Sequence, residues 1–182
     1  MNLPNALTVG RIFLIPLLVV VLLTKFEGRL IFGVRKELVG AAIFGLASLT
    51  DFLDGYLARR RKQITTLGQL MDPLADKLLI TAALVSLVQM DLAPAWMAAV
   101  ILGRELFVTV LRSIAHGRGG VIPASPLGKI KMVAEVVAIL ALILGQDHLQ
   151  QFYVIGTIAL WVAMLTATVS GVDYYRRFAR IP

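Results

Sequence analysis

Apolar residues run along this chain in six long blocks, separated by short stretches that collect the glycines, prolines and charges. The blocks fall at about 6–24, 37–61, 70–89, 94–115, 127–145 and 150–175. A transmembrane helix needs about 20 mainly apolar residues, and each block approaches or exceeds that length. The pattern predicts an all-α, polytopic membrane protein: one domain over residues 1–182, a bundle of six transmembrane helices with a short interfacial N-terminal segment at Met1–Asn5. Pro16 predicts a kink in the first helix. Irregular stretches are expected at 25–36, 60–68, 89–94, 116–126 and 145–150, none long enough to divide the chain in two.

Composition supports the membrane reading. The 182 residues are 58% hydrophobic and 16% charged, with mean hydropathy +0.83, against about 25% charged in soluble domains. Cysteine is absent, which excludes disulfides, thiolate metal sites and cysteine nucleophiles. His116 and His148 stand apart, so a histidine-rich metal site is not expected. The first block lacks a small-residue cleavage pattern and reads as a span rather than a signal peptide.

Net charge is +7, and its placement sets the topology. Six spans put both termini on one side. That side holds Arg11, Arg59 to Lys62, Arg112, Arg118, Lys129, Lys131, Arg176, Arg177 and Arg180. The other holds Lys25, Arg29, Arg35 and Lys36. The larger basic set predicts cytoplasmic termini, with the 25–36 loop as a dissent. Basic residues that flank apolar blocks suit membrane lipids, not nucleic acid.

Four aspartates break the apolar pattern: Asp51 and Asp54 near the end of block two, Asp72 and Asp76 near the start of block three. Asp51, Asp54 and Ala58 share one helical face at i, i+3, i+7; Asp72 and Asp76 share another at i, i+4. A short turn at 60–68 lets the faces meet at one membrane depth. Gly55, Ala58 and Gly68 keep the surface low for a close ligand, and Pro73 suits a first helical turn. Clustered carboxylates repel. A divalent cation relieves that, and oxygen-only ligands favour Mg²⁺ or Mn²⁺. Two ions could clamp a diphosphate. The alternatives are ion pairing with neighbouring basic residues and a cation transport path. A path would spread its acids through the membrane rather than gather them at one end.

The spacing D-x2-D-G-x2-A-R-x8-G-x3-D-x3-D resembles the signature of the CDP-alcohol phosphotransferases. Asp51, Asp54, Gly55, Ala58, Arg59, Gly68, Asp72 and Asp76 meet every fixed position. The resemblance implies that Asp51, Asp54 and Asp72 bind metal and the CDP diphosphate. It implies that Asp76 is the general base and also a metal ligand. It places Gly55, Ala58, Arg59 and Gly68 along the CDP-lipid pocket. A homodimer in the bacterial cytoplasmic membrane, with its active site facing the cytoplasm, is expected on the same ground.

The acceptor alcohol rests on other residues. Arg104, Arg112, Lys129 and Lys131 lie on blocks four and five, and cations beside a metal site suit an acceptor that carries a phosphate. Arg104 could instead pair with an aspartate, and Arg112 could simply flank the membrane. Lys129 and Lys131 are about 200° apart on a helix, so one is expected in the site and the other on lipid headgroups. Lys131 could also pair with Glu135 at i, i+4. A narrower resemblance is to the bacterial phosphatidylglycerophosphate synthases. It rests on the opening Pro4-Asn5-Ala6-Leu7-Thr8-Val9-Gly10-Arg11, on Gly103-Arg104-Glu105 with Arg112, and on Gly128-Lys129-Ile130-Lys131. It implies transfer from CDP-diacylglycerol to glycerol-3-phosphate, and places Asn5, Thr8 and Arg11 near the site. Lys77 is expected to make an interhelical pair or to snorkel. Trp96 and Trp161 are expected at the membrane interface or in packing. Gly117, Gly119 and Gly120 suggest a flexible loop.

Overall fold

The computed structural model describes residues 3–24, 30–31, 33–61, 66–120, 122–123, 125–146 and 150–180, with side chains described outside 3–7, 30, 51–70 and 72. Within these residues the chain forms six helices: α1 (Leu3–Leu23), α2 (Lys36–Arg61), α3 (Thr66–Gln89), α4 (Ala95–Gly117), α5 (Pro126–Leu144) and α6 (Gln150–Phe178). Each matches one apolar block. Between α1 and α2 lies a small ribbon, β1 (Leu30–Ile31) antiparallel to β2 (Val34–Arg35), with Leu30 opposite Arg35. Two residues per strand leave too little alternation for the sequence to announce it.

Two helices start earlier than expected. α1 begins at Leu3, so Leu3–Asn5 continue the first helix rather than lying apart from it. α3 begins at Thr66, four residues earlier than expected. Gly68 therefore sits in its first turn and not in the preceding loop. Pro73 falls well inside the helix, where its missing N–H leaves one backbone carbonyl of the preceding turn without a helical donor. Gly119, expected in a flexible loop, has φ +77° and ends α4. That left-handed turn lets the Gly120 N–H donate to the Ala115 carbonyl at 2.8 Å. At the start of α5, Ser125 caps the helix: its Oγ accepts from the Gly128 N–H at 3.1 Å, and Pro126 occupies the first turn.

Side-chain contacts give the helix directions. Lys36 Nζ donates to the Leu22 carbonyl at 3.2 Å, so the start of α2 meets the end of α1. Lys77 Nζ donates to Thr109 Oγ1 at 2.5 Å, joining the middle of α3 to α4. This is the interhelical pair expected of Lys77. Gly156, early in α6, lies against Leu142, late in α5. α1 and α2 thus run antiparallel, as do α5 and α6, while α4 and α6 run parallel, as Arg104–Ser170 and Trp96–Trp161 both show.

The core is built from Leu18, Leu22, Phe44, Leu79, Leu84, Met97, Ile101, Ile139, Leu142 and Leu160, contributed by all six helices. Large apolar side chains also cover the outside, among them Phe13, Leu46, Leu106, Val133, Ile158 and Val169. Among the described residues one helix, α6, is long and apolar enough to cross a membrane by length and composition.

The α5–α6 contact depends on a missing side chain. A Cβ on Gly156 would lie 2.8 Å from the backbone nitrogen of Leu142 and 2.7 Å from its Cγ. Gly156→Ala must push the helices apart. It should lower stability by about 1–3 kcal/mol, read as an earlier midpoint in detergent unfolding; an unchanged midpoint would refute the close approach.

Candidate active site

A polar network lies where α4, the start of α5 and the end of α6 come together. Arg104 on α4 donates from Nη1 to Glu105 Oε1 at 2.6 Å and from Nη2 to Ser170 Oγ on α6 at 2.7 Å. Lys131 on α5 reaches the same Glu105 oxygen at 2.7 Å and Glu135 Oε2 at 2.5 Å. One carboxylate oxygen therefore bridges two cations from different helices. Lys131 and Glu135 are almost wholly buried, and a charge removed from water needs such partners.

Gly171 makes room for Arg104: a Cβ there would lie 3.3 Å from Arg104 Cγ. Arg112, two turns beyond Arg104, donates to the hydroxyl of buried Tyr174 on α6. The same hydroxyl accepts from the Ser125 N–H at 3.1 Å. Arg112 Cζ is 4.8 Å and Arg104 Cζ 5.4 Å from the Tyr174 ring centroid, within cation–π range.

The two lysines of α5 part company. Lys131 faces inward into this network, whereas Lys129 is exposed and lines an outer apolar groove with Ile130, Val133 and Val137. Arg104 pairs with its neighbour Glu105, a residue the sequence offered only within a longer motif. Tyr174 and Ser170 carried no sequence signal, because they lie 62 and 66 residues from the arginines they hold.

The aspartates occupy the backbone of α2 (Asp51 and Asp54) and α3 (Asp72 and Asp76), consecutive helices that pack together. The side chains of Asn5, Asp51, Asp54, Gly55, Ala58, Arg59, Gly68 and Asp72 lie outside the described residues. Asp76 is partly buried and has an interaction partner of its own. The Lys77–Thr109 hydrogen bond places α3 beside α4. Thr8 and Arg11 are buried on α1, which packs on α2 and α3, and both are engaged by partners. Among the described residues no three acidic or histidine side chains gather around a common point. The four aspartates offer only oxygen donors, which favours a hard divalent ion over zinc.

Comparison with known proteins gives the family. The chain is 46% identical over 182 residues to the CDP-diacylglycerol–glycerol-3-phosphate 3-phosphatidyltransferase of Bacillus subtilis (strain 168), covering 97% of this chain and 94% of that one. It is 37% identical over 177 residues to the protein of the same name from Rickettsia typhi, covering 96% of each. Residues 1–169 match the family described as CDP-alcohol phosphatidyltransferase. With nearly its whole length matched, the chain belongs to the CDP-alcohol phosphatidyltransferase family.

Proposed function

We propose that this protein transfers a phosphatidyl group from CDP-diacylglycerol to sn-glycerol-3-phosphate, giving phosphatidylglycerophosphate and CMP. The observation that carries this is the 46% identity, over nearly the full length of both chains, to a protein named for that reaction. The basic network on α4, α5 and α6 supports it, since a phosphate-bearing acceptor needs cations next to the reacting centre.

The six helices are transmembrane spans of one membrane domain, with both termini and the site at the cytoplasmic face. The antiparallel pairs and the apolar outer faces support that placement. The membrane is the bacterial cytoplasmic membrane, and the working unit is a homodimer.

Asp51, Asp54 and Asp72, together with Asp76, would hold the metal and the diphosphate of the CDP-lipid. Bound there, one or two Mg²⁺ or Mn²⁺ ions would neutralise the diphosphate and ease departure of CMP. Gly55, Ala58, Arg59 and Gly68, with Asn5 and Thr8, line the nucleotide side. The Asp76 carboxylate takes the proton from the C1 hydroxyl of glycerol-3-phosphate. The hydroxyl oxygen bonds to the β-phosphorus of the donor as the bond to the bridging oxygen breaks, and CMP leaves with that electron pair. An ordinary carboxylate is a weak base for an alcohol, so positioning of the acceptor supplies much of the acceleration.

Arg104, Arg112 and Lys131 position the acceptor phosphate. Glu105 already bridges Arg104 and Lys131. Arg112 is exposed, and among the described residues its partner is a neutral tyrosine. It therefore has the most charge to offer an incoming phosphate. Lys129, on the outer face, suits lipid headgroups instead.

The test is an acceptor screen: purified protein, CDP-diacylglycerol and Mg²⁺, with CMP release measured for glycerol-3-phosphate, serine, inositol phosphate and phosphatidylglycerol. Release with glycerol-3-phosphate alone is expected, and release only with another alcohol overturns the assignment. In the same assay Arg112→Ala should raise the KM for glycerol-3-phosphate about ten-fold or more, the size of a lost hydrogen bond to a charged group. The KM for CDP-diacylglycerol should stay within about two-fold, because the lost bond serves only the acceptor. Equal changes in the two constants would remove Arg112 from the acceptor site.

A further inference from the structure

Tyr174 lies beyond residue 169, where the family match ends, yet it touches both Arg104 and Arg112 of the basic network. It sits near the end of α6 and is 2% exposed. Its hydroxyl accepts two hydrogen bonds, from Arg112 on α4 and from the Ser125 N–H at the start of α5. Its ring faces two guanidinium groups at 4.8 and 5.4 Å.

Two arginines held near one ring repel each other. Glu105 offsets the charge of Arg104, but among the described residues Arg112 has no carboxylate partner. A phenol oxygen and an aromatic face are weak compensation compared with a carboxylate. They orient a cation while leaving most of its charge available. The same hydroxyl fixes Ser125, whose Oγ caps α5, so the positive end of that helix is held in register with the arginines.

We propose that Tyr174 is the positioning residue of the acceptor-phosphate site. It sets the orientation of Arg112 and Arg104 and ties both to the N-terminus of α5, so that the three present to one phosphate group. This rests on the glycerol-3-phosphate reading above. Tyr174 acts through these groups, Arg112 foremost, and takes no part in the bond-making step.

The test uses the full-length protein and the CMP-release assay with both substrates varied. Tyr174→Phe keeps the ring and the fold and removes the hydroxyl. It should raise the KM for glycerol-3-phosphate about ten-fold, the effect of one charge-assisted hydrogen bond, with kcat and the KM for CDP-diacylglycerol within about two-fold. Tyr174→Leu removes the ring as well and should raise the acceptor KM several-fold further. The double variant Tyr174→Phe with Arg112→Ala should lose much less than a further ten-fold or so against Arg112→Ala alone, because the hydroxyl acts mainly through that arginine and only secondarily through Ser125. Direct calorimetric binding of glycerol-3-phosphate should weaken in parallel in Tyr174→Phe. An unchanged acceptor KM, or a loss spread equally over both substrates and kcat, overturns the proposal and leaves the function standing. If the wild-type protein releases no CMP with glycerol-3-phosphate, the function itself falls and this inference with it.

Discussion

Asp76→Asn is expected to lower kcat by about 10²- to 10⁴-fold, the usual contribution of a positioned general base. Asparagine has nearly the shape of aspartate but cannot accept the acceptor's proton. Asp76 is partly buried on α3, between the buried side chains of Ala75 and Leu79, so the substitution changes chemistry more than packing. The measurement is single-turnover CMP release at saturating Mg²⁺, beside binding of CDP-diacylglycerol to the same variant. Retained lipid binding with lost turnover is the expected pair of results. Turnover within about ten-fold of wild type, less than a general base contributes, would take the base role away from Asp76.

Lys131→Met is expected to be the most destabilising single change in the network, costing about 3–5 kcal/mol. Lys131 is 5% exposed and its ion partner Glu135 2% exposed, with Nζ to Oε2 at 2.5 Å. Glu135 Oε1 has no hydrogen-bond partner among the described residues. Removing the lysine leaves that carboxylate without its cation, inside the bundle. Much of the loss should return in the double variant Lys131→Met with Glu135→Gln, since a neutral pair tolerates burial better than a lone charge. Unfolding midpoints of the two variants in the same detergent decide it. A double variant less stable than Lys131→Met would show that Glu135 contributes through some other contact.

Periodicity made the helices legible, and the reasons for the misses are local. α2 and α5 begin within one residue of their expected starts, since Lys36 and Pro126 mark sharp changes from polar to apolar sequence. α3 was misjudged because Pro73 and Gly68 are stop and start signals in isolation, and the packing of α3 on its neighbours overrode both. Lys131–Glu135 could be read directly from i, i+4 spacing. The remainder of the network could not. Arg104–Ser170, Arg112–Tyr174 and Lys131–Glu105 join helices that are far apart in the chain, and nothing in the spacing of a tyrosine among tail arginines says which helix it will meet. The four aspartates stood out for the opposite reason: their chemistry conflicts with the apolar sequence around them.

The chain has two tryptophans, and the structure puts them together. Trp96 on α4 and Trp161 on α6 meet edge to face, with centroids 5.7 Å apart and planes at 68°. They join the same two helices that Arg104 and Tyr174 join further along. The protein therefore carries an internal optical gauge of α4 against α6. Its tryptophan emission comes from one edge-to-face pair, so any sliding of these helices as acceptor binds should change intensity and wavelength without an added dye. Because cysteine is absent, a single engineered thiol can carry a second probe at any chosen position with no background labelling.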